Sequence, residues 1–167
     1  VCITMGLSLE DISRSLKMFS GVKRRFDIKI QNNDLMIIDD YAHHPVEVSS
    51  VIKAIKSNWD RRLLVIFQPH LYSRTKQFYK EFAEALQDAD LVFVTEIFAS
   101  REKLDASITS EKIGKYLKEL NHNNVFNITT ESLITDVKSK YMKGDIILTV
   151  GAGNIWRFAD KLSESMQ

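Results

Sequence analysis

Two short segments concentrate the side chains that could do chemistry. Asp39-Asp40-Tyr41-Ala42-His43-His44-Pro45 and Gln68-Pro69-His70-Leu71-Tyr72-Ser73-Arg74-Thr75 hold three of the chain's four histidines and both of its prolines. A carboxylate at a strand end, such as Asp39 or Asp40, suits a ribose hydroxyl in nucleotide-binding sheets. Adjacent histidines orient or neutralise an anionic group near neutral pH. Arg74, and Arg101 in Thr95-Glu96-Ile97-Phe98-Ala99-Ser100-Arg101-Glu102, offer the planar fork that grips a carboxylate or phosphate through paired hydrogen bonds. From position alone, either arginine could equally be a surface residue with a solvated head. In Gly151-Ala152-Gly153-Asn154 the glycines let backbone N–H groups approach an anion at a helix N-terminus. This is not a dinucleotide fingerprint, because Trp156 takes the place of the third glycine.

Other chemistries are excluded or unsupported. No GxxxxGK[ST] segment occurs, so the chain has no P-loop to cradle a triphosphate. Asp39, Asp40, His43 and His44 could be read as metal ligands. Without thiolates and without a histidine pair at helical i,i+4 spacing, they read instead as a helix cap with polar hydrogen-bonding groups, and no metal site is assigned. The single cysteine, Cys2, cannot form an internal disulfide and reads as a packing residue in an apolar stretch. No Ser-His-Asp or Cys-His arrangement is supported. Lys23-Arg24-Arg25 reads as a solvated turn and His122 as a solvated loop residue.

These residues need a scaffold, and the composition allows one. The chain has 167 residues, 44% hydrophobic and 27% charged, enough for a sizeable core in one domain or one plus a fragment. A net charge of +1 argues against nucleic acid and against a charged membrane surface. No apolar run approaches a membrane span, and the opening Val-Cys-Ile-Thr-Met-Gly is not a signal peptide. The start lies in apolar sequence without an initiator methionine, so the chain reads as a piece of a larger protein from a reducing cytoplasm.

Helical and strand-like stretches alternate. Ser8 and Asp11 form a capping-box-like start, after which Leu9, Ile12, Leu16 and Phe19 recur at helical spacing, and Ser20-Gly21 closes the helix. Residues 26–30 and 35–38 flank a polar turn and predict a β-hairpin. Pro45 suits the first turn of a helix whose apolar face carries Val48, Val51, Ile52, Ile55 and Trp59. The runs 63–67, 91–94 and 146–150 predict strands buried on both faces, with 125–128 a weaker candidate. Helical spacing recurs at Phe78, Phe82, Leu86; Ile113, Leu117, Leu120; Leu133, Val137, Tyr141; and Ile155, Ala159, Leu162. The expectation is an α/β fold, a Rossmann-like and mostly parallel sheet with helices on both faces and one β-hairpin near the N-terminus. Ligands of such sheets sit at the carboxyl ends of the strands, where the two segments lie.

Four segments carry a family resemblance: Phe19-Ser-Gly-Val-Lys-Arg-Arg-Phe26, Asp39-Asp-Tyr-Ala-His-His-Pro45, Phe67-Gln-Pro-His-Leu-Tyr-Ser-Arg-Thr75 and Val150-Gly-Ala-Gly-Asn-Ile155. In this order, over essentially the whole chain, they resemble the C-terminal domain of the Mur ligases of bacterial peptidoglycan synthesis. The second and third segments together point to the member that joins L-alanine to UDP-N-acetylmuramate. The resemblance implies a three-domain, cytoplasmic, ATP-dependent ligase working through an acyl phosphate, with residues 1–19 as the last helix of the central domain and 20–167 as the C-terminal domain. It implies Arg25 and Asp40 on ATP, with Asp40 on the ribose. It implies Tyr41 and His43 at the reacting end of the substrate, with His43 accepting a proton or orienting. Arg74 would hold a carboxylate with His70 beside it, Arg101 would read the incoming amino acid, and Gly151, Gly153 and Asn154 would position it. The P-loop and the ligands of Mg2+ would belong to the central domain, so this chain alone is expected to be inactive. Some relatives carry arginine where Leu71 stands, which leaves Arg74 more of the carboxylate-holding task. A free-standing α/β module binding a nucleotide or metabolite is the competing reading.

Overall fold

A computed structural model describes residues 1–19 and 21–166. Ser20, expected to help close the first helix, lies outside the described residues. The elements are α1 (Leu9–Met18), β1 (Asp27–Gln31), β2 (Leu35–Asp40), α2 (Pro45–Asn58), β3 (Leu63–Phe67), α3 (Tyr72–Leu86), β4 (Leu91–Val94), α4 (Glu111–Glu119), β5 (Val125–Asn127), α5 (Leu133–Lys140), β6 (Asp145–Val150) and α6 (Trp156–Ser165). The described strands form one six-stranded sheet in the order β1-β2-β6-β3-β4-β5. Only the β1–β2 hairpin is antiparallel; β2–β6, β6–β3, β3–β4 and β4–β5 all run parallel. The expected architecture is therefore the observed one.

The continuous apolar runs are explained by burial on two faces, since successive strand side chains point to opposite sides. Met36, Ile38, Val65, Phe67, Val92 and Leu148 pack against residues of α2, α3 and α4. Their sequence neighbours Ile37, Leu64, Ile66, Phe93 and Ile147 pack against Leu133, Val137, Ala159 and Leu162 of α5 and α6.

Local signals start two helices where expected. The Ser8 hydroxyl oxygen accepts from the Asp11 N–H at 3.0 Å and starts α1. Pro45 occupies the first turn of α2, and the Glu47 carboxylate accepts from the N–H groups of His43 (2.9 Å) and His44 (3.1 Å). Burial tends to raise the Glu47 carboxyl, but those two N–H groups and the neighbouring histidines hold it below its ordinary value. At the amino edge of the sheet, Arg62 grips Asp145 through two hydrogen bonds of 2.9 and 2.8 Å.

α1 buries none of its residues, and Leu9, Leu16 and Phe19 are exposed, so its apolar stripe lacks a partner among the described residues. Two expectations need correction. Cys2 is exposed rather than packed. His122 is not a solvated loop residue: its Nε2 lies 2.7 Å from the Ala89 carbonyl and its Nδ1 is buried.

β6 lies between β2 and β3, although it follows both in sequence. The carboxyl ends of β2, β6 and β3 therefore adjoin at a point where the strand order reverses, the usual ligand crevice of an open α/β sheet.

Candidate functional site

Three loops converge at that crevice. β2 runs to Asp40, so Asp39 and Asp40 are strand residues rather than the loop residues expected after position 38. Their side chains point to opposite faces and do different work. The Asp40 carboxylate accepts from the Phe26 N–H and the Ala42 N–H, both at 2.8 Å, and so ties the hairpin approach to the start of the next loop. Asp39 is fully buried; its Oδ1 accepts from the Thr149 hydroxyl at 2.6 Å, and its Oδ2 lies 3.5 Å from Arg24 Nε. Burial pushes the Asp39 carboxyl up, against the downward pull of the Thr149 hydroxyl and the Arg24 charge.

Arg24 is the first residue at the candidate site that sequence reasoning missed. The 23–25 cluster is not simply a solvated turn. Arg24 adopts a left-handed φ of 62°, stacks its guanidinium 4.7 Å from the centre of the Tyr41 ring, and donates from Nη2 to the Gly151 carbonyl at 2.7 Å. Arg25 remains exposed and lines a 370 Å3 recess with Asp40, Tyr41, His43, Glu47 and Val51. That volume is within the range of small-ligand sites.

The imidazoles gather beside this recess. His43 meets Tyr41 edge-on with ring centres 5.3 Å apart, and the His43 and His70 rings are 6.2 Å apart. His43 Nδ1 lies 3.1 Å from the Tyr41 carbonyl, which can only accept, so Nδ1 carries hydrogen and neutral His43 keeps its lone pair on Nε2. His70 stacks on Phe98 at 5.9 Å, and Arg74 Nη1 donates to its Nδ1 at 3.3 Å. Burial and the adjacent Arg74 charge lower the His70 pKa, with His43 and Arg101 adding to the effect. Neutral His70 therefore carries its proton on Nε2.

Leu71, between His70 and Arg74, has φ 72°, a conformation that costs a side-chain-bearing residue about 1–3 kcal/mol. It is held there by its N–H to the Phe98 carbonyl (3.0 Å) and by the Thr75 hydroxyl and N–H on its own carbonyl. Arg101 is exposed and forms no hydrogen bond among the described residues, but its loop is fastened nearby. The Glu102 carboxylate accepts from the Ser73 N–H at 3.1 Å and from the Ser73 hydroxyl, capping the first turn of α3. These bonds hold the Glu102 carboxyl below its ordinary value.

The turn after β6 also departs from expectation. Gly151 N–H donates to the Asp40 carbonyl at 3.1 Å, and Ile155 N–H to Gln68 Oε1 at 3.2 Å, so two of the turn's donors are already used. The glycines make room for Gln68. A Cβ on Gly151, whose φ is 150°, would lie 2.6 Å from the Gln68 carbonyl oxygen, and one on Gly153 would overlap the Gln68 side chain. Gln68, 3% exposed, is the second residue that sequence reasoning passed over. Among the described residues no group of three or more His, Cys, Asp or Glu side chains is arranged to hold a metal ion.

Residues 24–153 match the family model for the Mur ligase, glutamate ligase domain. The chain belongs to the Mur ligase family. The UDP-N-acetylmuramate–L-alanine ligase of Geotalea uraniireducens is 39% identical over 168 aligned residues, taking in 100% of this chain and 37% of that protein. The ligase of the same name from Carboxydothermus hydrogenoformans is 41% identical over 158 residues, 95% of this chain and 34% of that protein. The crystal structure of the UDP-N-acetylmuramate–alanine ligase of Thermotoga maritima superposes with a TM-score of 0.82 at 29% identity, covering 99% of this chain and 35% of that one. The chain thus spans about a third of the length of these relatives, aligned with one Mur ligase domain.

Proposed function

We propose that this Mur ligase domain serves an ATP-dependent ligase joining L-alanine to UDP-N-acetylmuramate in bacterial peptidoglycan synthesis, in the cytoplasm. The observation that carries the reading is the convergence of Tyr41, His43, His70 and Arg74 at the reversal point of the sheet, in a chain whose whole length aligns with ligases of that name. ATP is the nucleotide of the reading. The muramate carboxylate oxygen attacks the γ-phosphorus and ADP leaves; the L-alanine amine then attacks the acyl carbon, phosphate leaves, and the amine gives up a proton. Two carboxylates must be held and negative charge balanced during these steps.

In this reading Asp40 takes a ribose hydroxyl at the 370 Å3 recess, with Arg25 toward the phosphates. Tyr41 lines the reacting end. His43 Nε2, the lone-pair nitrogen of the neutral ring when Nδ1 donates to the Tyr41 carbonyl, is the proton acceptor. Arg74 grips a carboxylate, with neutral His70 fixing the guanidinium. Arg101, Gly151, Gly153 and Asn154 border the incoming amino acid. The ligands of Mg2+ are assigned to the central domain, as the family resemblance implies, and no step here depends on them. Residues 1–19 are assigned to that central domain and 20–167 to the C-terminal domain, a division supported by the exposed apolar stripe of α1 and by the family match beginning at residue 24.

The test joins this chain to the remaining part of its Geotalea relative and measures phosphate release with ATP, Mg2+, UDP-N-acetylmuramate and single amino acids. Release that requires L-alanine and UDP-N-acetylmuramate is expected. Arg74→Ala should cost about 2–4 kcal/mol of transition-state binding. No alanine-dependent release overturns the proposed activity; an active parent with an unaffected variant overturns the role of Arg74.

A further inference from the structure

We infer that Gln68 is a positioning residue that fixes the polarity of Asn154, turning its amide NH2 toward the crevice as a hydrogen-bond donor. A backbone N–H can only donate. The Ile155 N–H lies 3.2 Å from one end of the Gln68 amide, so that end is the oxygen, Oε1. The other end is therefore the NH2, and it donates from Nε2 to Asn154 at 2.8 Å, so the Asn154 atom facing it is the acceptor Oδ1. Asn154 Nδ2 is what remains. It has no protein partner among the described residues, and Asn154 is exposed at the carboxyl edge of the sheet.

One backbone donor thus sets the direction of two side-chain amides. The relay has no freedom to reverse, because Gln68 is buried and both glycines of the turn are packed against it. The donor it presents suits an acceptor oxygen. Under the proposed function, on which only this last step rests, that oxygen belongs to the carboxylate of the incoming amino acid.

The relay is tested first without activity, by side-chain amide exchange in the 167-residue chain. The Gln68 NH2 should exchange slowly and the Asn154 NH2 quickly. Gln68→Glu keeps the size and the acceptor for Ile155 N–H, but its carboxylate cannot donate to Oδ1. Asn154 then flips, and one of its NH2 protons becomes protected. Unchanged Asn154 exchange in a folded Gln68→Glu chain, or fast Gln68 exchange in the parent, overturns the relay. Should Gln68→Glu not fold, Asn154→Asp serves: its carboxylate still accepts from Gln68, so the Gln68 NH2 stays protected, and loss of that protection overturns the relay.

The ligand is tested in the joined ligase. Asn154→Asp puts an anion where the donor was, and KM for L-alanine should rise at least on the order of tenfold while KM for ATP stays fixed. A rise in KM for ATP alone, or no change, overturns the carboxylate assignment. An unsubstituted joined enzyme that releases no alanine-dependent phosphate overturns the ligase reading instead, and leaves the exchange result to decide the relay.

Discussion

Replacing Gly153 by alanine should be among the costliest single-methyl additions available in this domain. The new Cβ would overlap Gln68 Oε1 and lie 2.7 Å from Phe98 Cγ and 2.9 Å from Phe98 Cβ, with no slack on either side. Phe98 is held by its N–H on the Pro69 carbonyl and its carbonyl under the Leu71 N–H, so the ring cannot simply move away. Gln68 must shift, which breaks its bond to the Ile155 N–H and strands a buried donor. Overpacking costs about 1–3 kcal/mol, and a buried unsatisfied polar group about another 1–3 kcal/mol. The expected loss is therefore about 2–6 kcal/mol, read as a drop in urea midpoint at constant slope or a fall in Tm on the order of 10 °C. Gly114→Ala is the matched control. Its Cβ would meet a neighbour at 2.7 Å, the distance a Gly153 Cβ would have from Phe98 Cγ, but that neighbour is only the end of the Asn127 side chain, which belongs to an exposed residue at the sheet edge. Asn127 can turn away, and alanine gains about 1 kcal/mol over glycine inside α4. Gly114→Ala should be neutral or stabilising. Equal losses from the two variants, or a Gly153→Ala chain within 0.5 kcal/mol or so of the parent, would refute the argument that the neighbour's freedom decides the cost.

Three further outcomes follow from the ion pairs and titrating groups. Among the described residues, Arg62→Ala leaves the nearly buried Asp145 carboxylate with only the Met142 N–H and should cost about 3 kcal/mol in chemical denaturation. The pair sits at the amino edge, so the same variant should leave the KM values of the joined ligase unchanged. The folded-state His70 pKa is lowered, so the unfolded chain binds more protons; stability should rise with pH up to about 6.5 and fall on acidification below it. His70→Gln should flatten that slope in melts across the same range. Glu47 titrates lower and with the opposite displacement relative to its charged form: its carboxylate contributes stability above about pH 4.3, lost as pH falls through the depressed folded value. Glu47→Gln should remove that acid limb and cost about 1 kcal/mol at neutral pH through the weakened cap of α2.

The scaffold was legible because each element carries its own signal. Strands such as Leu63–Phe67 are apolar throughout because both faces are covered, and Pro45 with Glu47 marks the start of α2 within four residues. Candidate residues at strand ends were legible for a related reason: a parallel sheet puts those ends together whatever the loop sequences are. What escaped was long-range pairing between side chain and backbone. Arg24 meets Gly151 across 127 positions, and Gln68 meets Asn154 across 86. A basic triplet in a turn gives no hint that its middle member takes φ 62° and turns inward.

The glycines show most clearly where local reading ends. Gly151 and Gly153 mark a close approach, as the anion-site rule supposes, but the partner that comes close is Gln68, the residue directly after the neighbouring strand β3. The missing Cβ atoms admit an amide whose orientation is dictated by a backbone N–H, and that amide in turn orients Asn154. A ligand at this turn then meets a side-chain donor set by the fold, rather than the bare backbone of a phosphate loop. That difference favours a carboxylate, planar and singly charged, over a phosphate that would call for several converging N–H groups, two of which are already bonded within the protein.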